Sequence, residues 1–319
     1  MNDINIDTVA IEIALQTKYD LFVAAMGFED RCTAIAPRIS ARRQVAFGFD
    51  HNHILQYSNN HSWFELNGYD IKENLAATGF QSAFVHELSN IQLSVGSDFP
   101  RGISVAIDIS SFDRHRLASV VDCIRSTRCP TLTIDFYYSI ASFVPPNLGL
   151  GRNEVAGPVH SRFAGRFVDP GRPLALVAGL GYEIGKVVGA AEYVQASRVF
   201  AFIPDSPVFE YEPEVILANK VLLDDLPTEN IFHYQVTDPR RTVSTLDAIV
   251  RGLQSTHNVV LLPGGPKVFA LCCLLTQTMH RSVAVWRVST GSSIAAPDVS
   301  ASGHTVVTRV VSRAATREN

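Results

Sequence analysis

Leu21-Phe-Val-Ala-Ala-Met-Gly-Phe-Glu29 and Leu174-Ala-Leu-Val-Ala-Gly-Leu-Gly-Tyr-Glu183 decide the fold. Each is a short run that is apolar throughout and runs into a turn carrying a glycine, an aromatic residue and a glutamate. A strand without polar alternation is buried on both faces, as in a parallel sheet covered by helices on either side. Three more such runs follow in each half. The first half has Gln44–Phe49, Ile103–Ile107 and Leu132–Tyr138, and the second has Val199–Ile203, Val259–Leu262 and Val283–Val288.

Segments with helical spacing separate the strands. They are residues 31–40, 54–66 and 114–125 in the first half, and 184–195, 213–223, 242–254 and 267–279 in the second. Alternating strand and helix defines the α/β class. The landmarks also recur in order at an offset of about 155 positions, the signature of a repeat. Gly27-Phe28-Glu29 answers Gly181-Tyr182-Glu183, and Asp50 and Asp205 each end a second strand. Asp108-Ile-Ser-Ser-Phe-Asp-Arg114 and Pro263-Gly-Gly-Pro-Lys267 each join a buried strand to a long apolar helix. The expected fold is therefore two tandem Rossmann-like parallel-sheet halves related by internal duplication, residues 1–143 and 173–319. Residues 144–172, rich in Pro, Gly and Arg, read as a linker or ordered loop carrying Arg152, His160, Arg162, Arg166 and Arg172. Thr305–Val311 alternates like an edge strand or terminal hairpin.

Composition bounds the function. A chain of 319 residues with 46% hydrophobic and 18% charged side chains has material for two well-buried domains. A net charge of −4 gives no global reason to bind nucleic acid or an anionic membrane, so any phosphate site must be local. No apolar run approaches the roughly 20 residues that span a bilayer. Residues 1–19 lack the basic and apolar regions of a leader, and the five cysteines (Cys32, Cys123, Cys129, Cys272, Cys273) read as reduced core residues. A cytoplasmic protein is the expectation.

In such sheets ligands collect at the carboxyl ends of strands, where helix N-termini favour anions, and every turn quoted above falls there. Gly179-Leu-Gly181-Tyr-Glu-Ile-Gly185 lets backbone approach a diphosphate, and Asp205 stands where a ribose hydroxyl donor would meet it. Gly264 and Gly265 free the Lys267 turn to take positive φ, and Lys267 begins a helix where a cation is poorly placed without an anion. In the first half, Ser110 and Ser111 offer hydroxyls, and Arg114 either meets phosphate or pairs with Asp108. Gly27, Glu29, Arg31 and Asp50 complete the set. Glu29 and Glu183 either cap helices or read ribose and base. His51, His53 and His61 form only a weak metal pattern, so no metal is expected. Neither a GxSxG elbow nor a GxxxxGK[ST] loop is present.

At these turns the chain resembles the CRISPR-associated Rossmann fold family. Pro263-Gly-Gly-Pro-Lys267 is similar to that family's Gly-Gly-Thr-Lys turn, Asp108–Arg114 to its Asp-Ile-Thr-His-Gly-Phe-Arg variant, and Gly27 and Gly181 to its first-strand glycine. The resemblance implies a nucleotide-sensing module of a prokaryotic antiviral defence system, with a cyclic oligoadenylate held between two halves and a protein effector as partner. Two other readings stay open. One is an enzyme that cleaves a nucleotide or its N-glycosidic or phosphodiester bond, with Glu29, Asp108 or Glu183 as catalytic carboxylate. The other is an NAD(P)-dependent oxidoreductase built on the Gly179–Gly185 turn. No motif demands a cofactor beyond the nucleotide itself.

Overall fold

A computed structural model describes residues 3–51, 53–95, 102–126, 129–146, 155–167, 169–289 and 297–314. The chain divides into two compact units, Met1–Ser142 with Pro297–Asn319, and Phe143–Ala296.

The first unit opens with β1 (Asp3–Val9), α1 (Ile11–Ala14), β2 (Lys18–Met26) and β3 (Ser40–Phe49). It continues through α2 (Tyr57–Leu66), β4 (Asp70–Leu75), α3 (Ala77–Val95), β5 (Ile103–Asp108), α4 (Arg114–Ser126) and β6 (Thr131–Ala141). The second unit contains β7 (Val155–Pro158), β8 (Leu174–Gly179), α5 (Lys186–Tyr193), β9 (Ala196–Asp205), α6 (Tyr211–Ala218) and α7 (Lys220–Asp225). It ends with β10 (Ile231–Gln235), α8 (Pro239–Leu253), β11 (Asn258–Leu262), α9 (Lys267–Met279) and β12 (Ala284–Ser289). The chain then returns to the first unit as β13 (Ala301–Arg313).

The two sheets share one plan. The first has the order β1-β13-β6-β5-β2-β3-β4 and the second β10-β9-β8-β11-β12-β7. In each, five parallel strands are arranged with the first in the middle, the second and third to one side, and the fourth and fifth to the other. An antiparallel strand flanks the fifth, β13 in one unit and β7 in the other. The register repeats as well: Ala24 faces Asp108 as Ala178 faces Leu262, so the same 154 positions separate both members of the two pairs. The α/β fold of two Rossmann-like halves is thus present.

The central strands earn their place by burial. Every residue of β2 from Leu21 to Met26 is buried, as are Leu176, Val177 and Ala178 of β8. Helix α9 is buried from Val268 to Thr278 because it packs against α8 as well as its sheet, and Lys267 is its one charged residue. A helix apolar all round needs such a double cover.

Four expectations are corrected. Residues 297–319 belong to the first unit and not to a domain running from 173 to the C-terminus. β13 pairs with β1 on one side and β6 on the other, so it is an interior strand rather than an edge. The connector 144–172 contributes structure to the second unit: β7 pairs with β12, and Val159 and Phe163 are buried. Within it, Arg172 donates to the Gln254 carbonyl at 2.9 Å, whereas Arg152 lies outside the described residues. The helix expected over 31–40 is replaced by two short 3-10 turns, Asp30–Thr33 and Ala36–Arg38, with Pro37 inside the second.

One ionic network ties β13 into its sheet. The Asp135 carboxylate on β6 is fully buried, and it accepts from Arg309 Nε and Nη2 at 2.7 and 2.6 Å and from the Tyr19 hydroxyl at 2.6 Å. Burial and the neighbouring carboxylate push the Tyr19 phenol well above its ordinary range. The hydroxyl therefore stays a donor.

Candidate functional site

Reversal of strand order creates a crevice at the carboxyl ends of the central pair. In the second unit that pair is β8 and β11, so the crevice is walled by the Gly179–Gly185 and Pro263–Lys267 turns. These turns meet backbone to backbone. A methyl group on Gly264 would run into the Gly179 carbonyl, and one on Gly265 into the Leu180 carbonyl. Gly265 has φ +65°, as the two-glycine turn led us to expect. Much of the glycine requirement at 179, 181, 264 and 265 is therefore close packing of one turn on the other.

Charge and aromatic surface gather at the same place. Lys267 is half-buried at the first position of α9. A cation there opposes the helix dipole by roughly 0.3–1 kcal/mol in the absence of an anion. Glu183 is exposed and its carboxylate receives Lys186 Nζ at 3.0 Å. Tyr182 follows Gly181 directly, and its ring lies parallel to that of Tyr211. Asp205 is exposed at the end of β9, where its carbonyl accepts the Val236 N–H. Gly185 caps α5 at φ +71° with open space where its side chain would be. The third glycine of a dinucleotide fingerprint instead relieves helix-to-strand crowding.

The equivalent corner of the first unit is drawn closed by its own groups. Glu29 Oε2 receives Arg31 Nε at 2.8 Å, and Arg31 Nη1 donates to the Ser139 carbonyl. Burial opposes the Arg31 charge, yet Tyr138 and Glu29 outweigh it and hold the guanidinium protonated. Asp108 Oδ1 accepts the Ser110 N–H, and the Ser110 hydroxyl accepts the Ser139 N–H. Ser111 packs on Gly27, where a methyl group would sit 2.9 Å from its Cβ. Arg114 begins α4 with its Nε buried and without a hydrogen-bond partner among the described residues. Asp50 is exposed at the end of β3, and the hydrogen bond from His51 at 2.5 Å lowers its pKa.

The segment before β13 straps this corner. Asp298 accepts the Asp30 N–H at 2.8 Å and the Gln56 side-chain amide at 2.9 Å, and the Arg31 N–H donates to the Val299 carbonyl. The turns that carry Glu29 and Asp108 flank the first unit's switch point, and those that carry Glu183 and Lys267 flank the second's. Cys32, beside Gly27, donates to the Ala25 carbonyl, and burial pushes its thiol up to about 12. It is no nucleophile near neutral pH.

Two residues that hold the site were not legible in the sequence. Asn60 Nδ2 on α2 donates to the carbonyls of Gly27 and Glu29, both at 2.9 Å. Asn219, between α6 and α7, donates to the carbonyls of Gly181 at 2.6 Å and Val215 at 2.8 Å. Each is about 5% exposed, and each pins the register-equivalent glycine of its half. Their separation of 159 positions rather than 154 hid the match. Asn219→Ala is expected to destabilise the second unit by about 1–3 kcal/mol, because the Gly181 carbonyl loses its donor, whereas the Val215 carbonyl keeps the backbone N–H of residue 219. Urea unfolding read by Trp286 checks this, and Asn60→Ala read by Trp63 should lose a similar amount.

Arg116 was also missed. It is buried, donates to the carbonyls of Phe47, Gly48 and Leu75, and stacks on Phe49 with 3.7 Å to the ring centroid. It ties the ends of β3 and β4 to α4.

Among the described residues, no group of three or more His, Cys, Asp and Glu side chains is placed to hold a metal ion. No helix among them is long and apolar enough to cross a membrane. The fold and corners define an α/β protein with a Rossmann-like switch point in each half. No protein-family model matches the chain, and no curated protein matches its sequence.

Proposed function

We propose that the second unit binds a nucleotide at the carboxyl ends of β8 and β11, and that the chain works as a nucleotide-sensing regulatory module. The observation that carries this reading is the meeting of the two glycine turns at the switch point, with Lys267 opening a buried helix directly behind them. Backbone without side chains, a helix N-terminus and a lysine together suit a phosphate. The ligand class drawn from the family resemblance is a cyclic oligoadenylate of an antiviral defence system. A protein effector would then respond to the shift in population that binding causes.

A sensor is favoured over a catalyst because Glu29, a carboxylate of the first unit's corner, is committed locally to Arg31. Calorimetric titration of the full chain with ATP, cyclic triadenylate, cyclic tetraadenylate and pyrophosphate tests the reading. At least one nucleotide should bind. Lys267→Ala should weaken that binding roughly 10- to 100-fold, the worth of a charge-assisted hydrogen bond. Absence of binding by every nucleotide, or full affinity in the Lys267 variant, overturns it.

A further inference from the structure

Tyr182 and Tyr211 come from different elements, the turn after β8 and the first position of α6, yet their rings lie within 4° of parallel with centroids 6.1 Å apart. Phe143 meets Tyr211 edge to face, at 80° with 5.3 Å between the centroids. Both tyrosines are only half-buried. Rings in face contact sit about 3.5 Å apart. A ring held between two others needs about 7 Å, so at the observed separation the two rings are offset and leave no slot between them. Both side chains keep part of their surface at solvent, where a third ring can lie against them.

That surface adjoins the phosphate-suited turn. Tyr182 is bonded to Gly181, whose Cα packs on Gly265 and whose carbonyl is held by Asn219. Asn219 also donates to the Val215 carbonyl of α6, so one buried side chain braces the turn bearing Tyr182 against the helix bearing Tyr211. An aromatic face fixed beside an anion-friendly turn is the combination that holds base and phosphate of one molecule.

Resting on the reading of the second unit as the nucleotide site, we infer that Tyr182 and Tyr211 form its base-stacking subsite, so that the ligand must carry a planar nucleobase and not phosphate alone. Stacking tolerates any base because every base has a π face. Selectivity among bases then falls to polar groups such as Glu183 at the rim.

The panel above, repeated on Tyr182→Leu, Tyr211→Leu and Tyr211→Phe, tests this. Each leucine variant should weaken the nucleotide that binds roughly 5- to 100-fold, while pyrophosphate affinity stays unchanged. Tyr211→Phe keeps the ring and should keep the affinity. Should a leucine variant fail to fold, proton NMR of the wild-type complex serves instead: the base protons should move upfield in the ring current of the tyrosines. Unchanged nucleotide affinity in folded leucine variants, or base protons that do not shift, overturns the subsite and leaves the phosphate site standing. A chain that binds none of the nucleotides overturns both.

Discussion

Replacing Arg309 by methionine is expected to cost the first unit about 3–5 kcal/mol, the usual penalty for stranding a buried charge. Asp135 is fully buried on β6, and Arg309 reaches it from β13 with two hydrogen bonds. Without that guanidinium, among the described residues only the Tyr19 hydroxyl would still donate to the carboxylate. The partly exposed arginine contributes little by its own burial; the loss comes from the aspartate left behind. Trp63 is the one tryptophan of the first unit and Trp286 that of the second, so Trp63 fluorescence in a Trp286→Phe background isolates the relevant unfolding transition. Pairing Asp135→Leu with Arg309→Met should recover much of the loss, because an apolar pair has no charge to strand. A single variant that costs under about 1 kcal/mol would show that the pair does not anchor the C-terminal strand.

The second large effect is at Gly265. Alanine there must keep φ near +65°, which costs about 1–2 kcal/mol for an L-residue. Its methyl group also enters the Leu180 carbonyl, which is backbone and cannot swing away. Overpacking of that kind adds about 1–3 kcal/mol. The variant should therefore lose about 3 kcal/mol in the Trp286-reported transition and lose nucleotide binding as the turns separate. Gly185→Ala is the internal control, since it has nearly the same φ but open space around the new methyl group. It should show the backbone cost alone. Equal losses in the two variants would mean that the turns do not depend on close contact.

The legible part of the fold was its interior. Leu21–Met26 and Leu174–Ala178 announce themselves because both faces are covered and no polar residue is tolerated. The strands that escaped notice are β1, β4, β7 and β10, the four sheet edges. Asp70-Ile-Lys-Glu-Asn-Leu75 shows why: with one side open to water, β4 keeps Lys72 and Glu73 and leaves no apolar run. β13 carried an edge-like alternation yet lies inside its sheet, because burial on one face alone sets a period of two wherever the strand sits. α3 went unread for want of a recognised strand before it.

For the candidate site, the turns were legible because glycine and proline punctuate them. The packing of one turn on the other, and the asparagines that clamp them, were not. Asn60 sits among Ser58, Asn59 and His61, where it looks like any solvated helix residue. Its role depends on Gly27, 33 positions away. Nor did the sequence distinguish the two corners: the first is strapped by Asp298, far along the chain.

Hydrogen–deuterium exchange of the full chain, with and without a saturating nucleotide from the panel, tests the central claim most directly. Amide exchange should slow in residues 179–186 and 263–269, the two turns of the second unit, and change less at the strapped corner around residues 27–33. Protection confined to other parts of the chain, with those two turns unchanged, would contradict it.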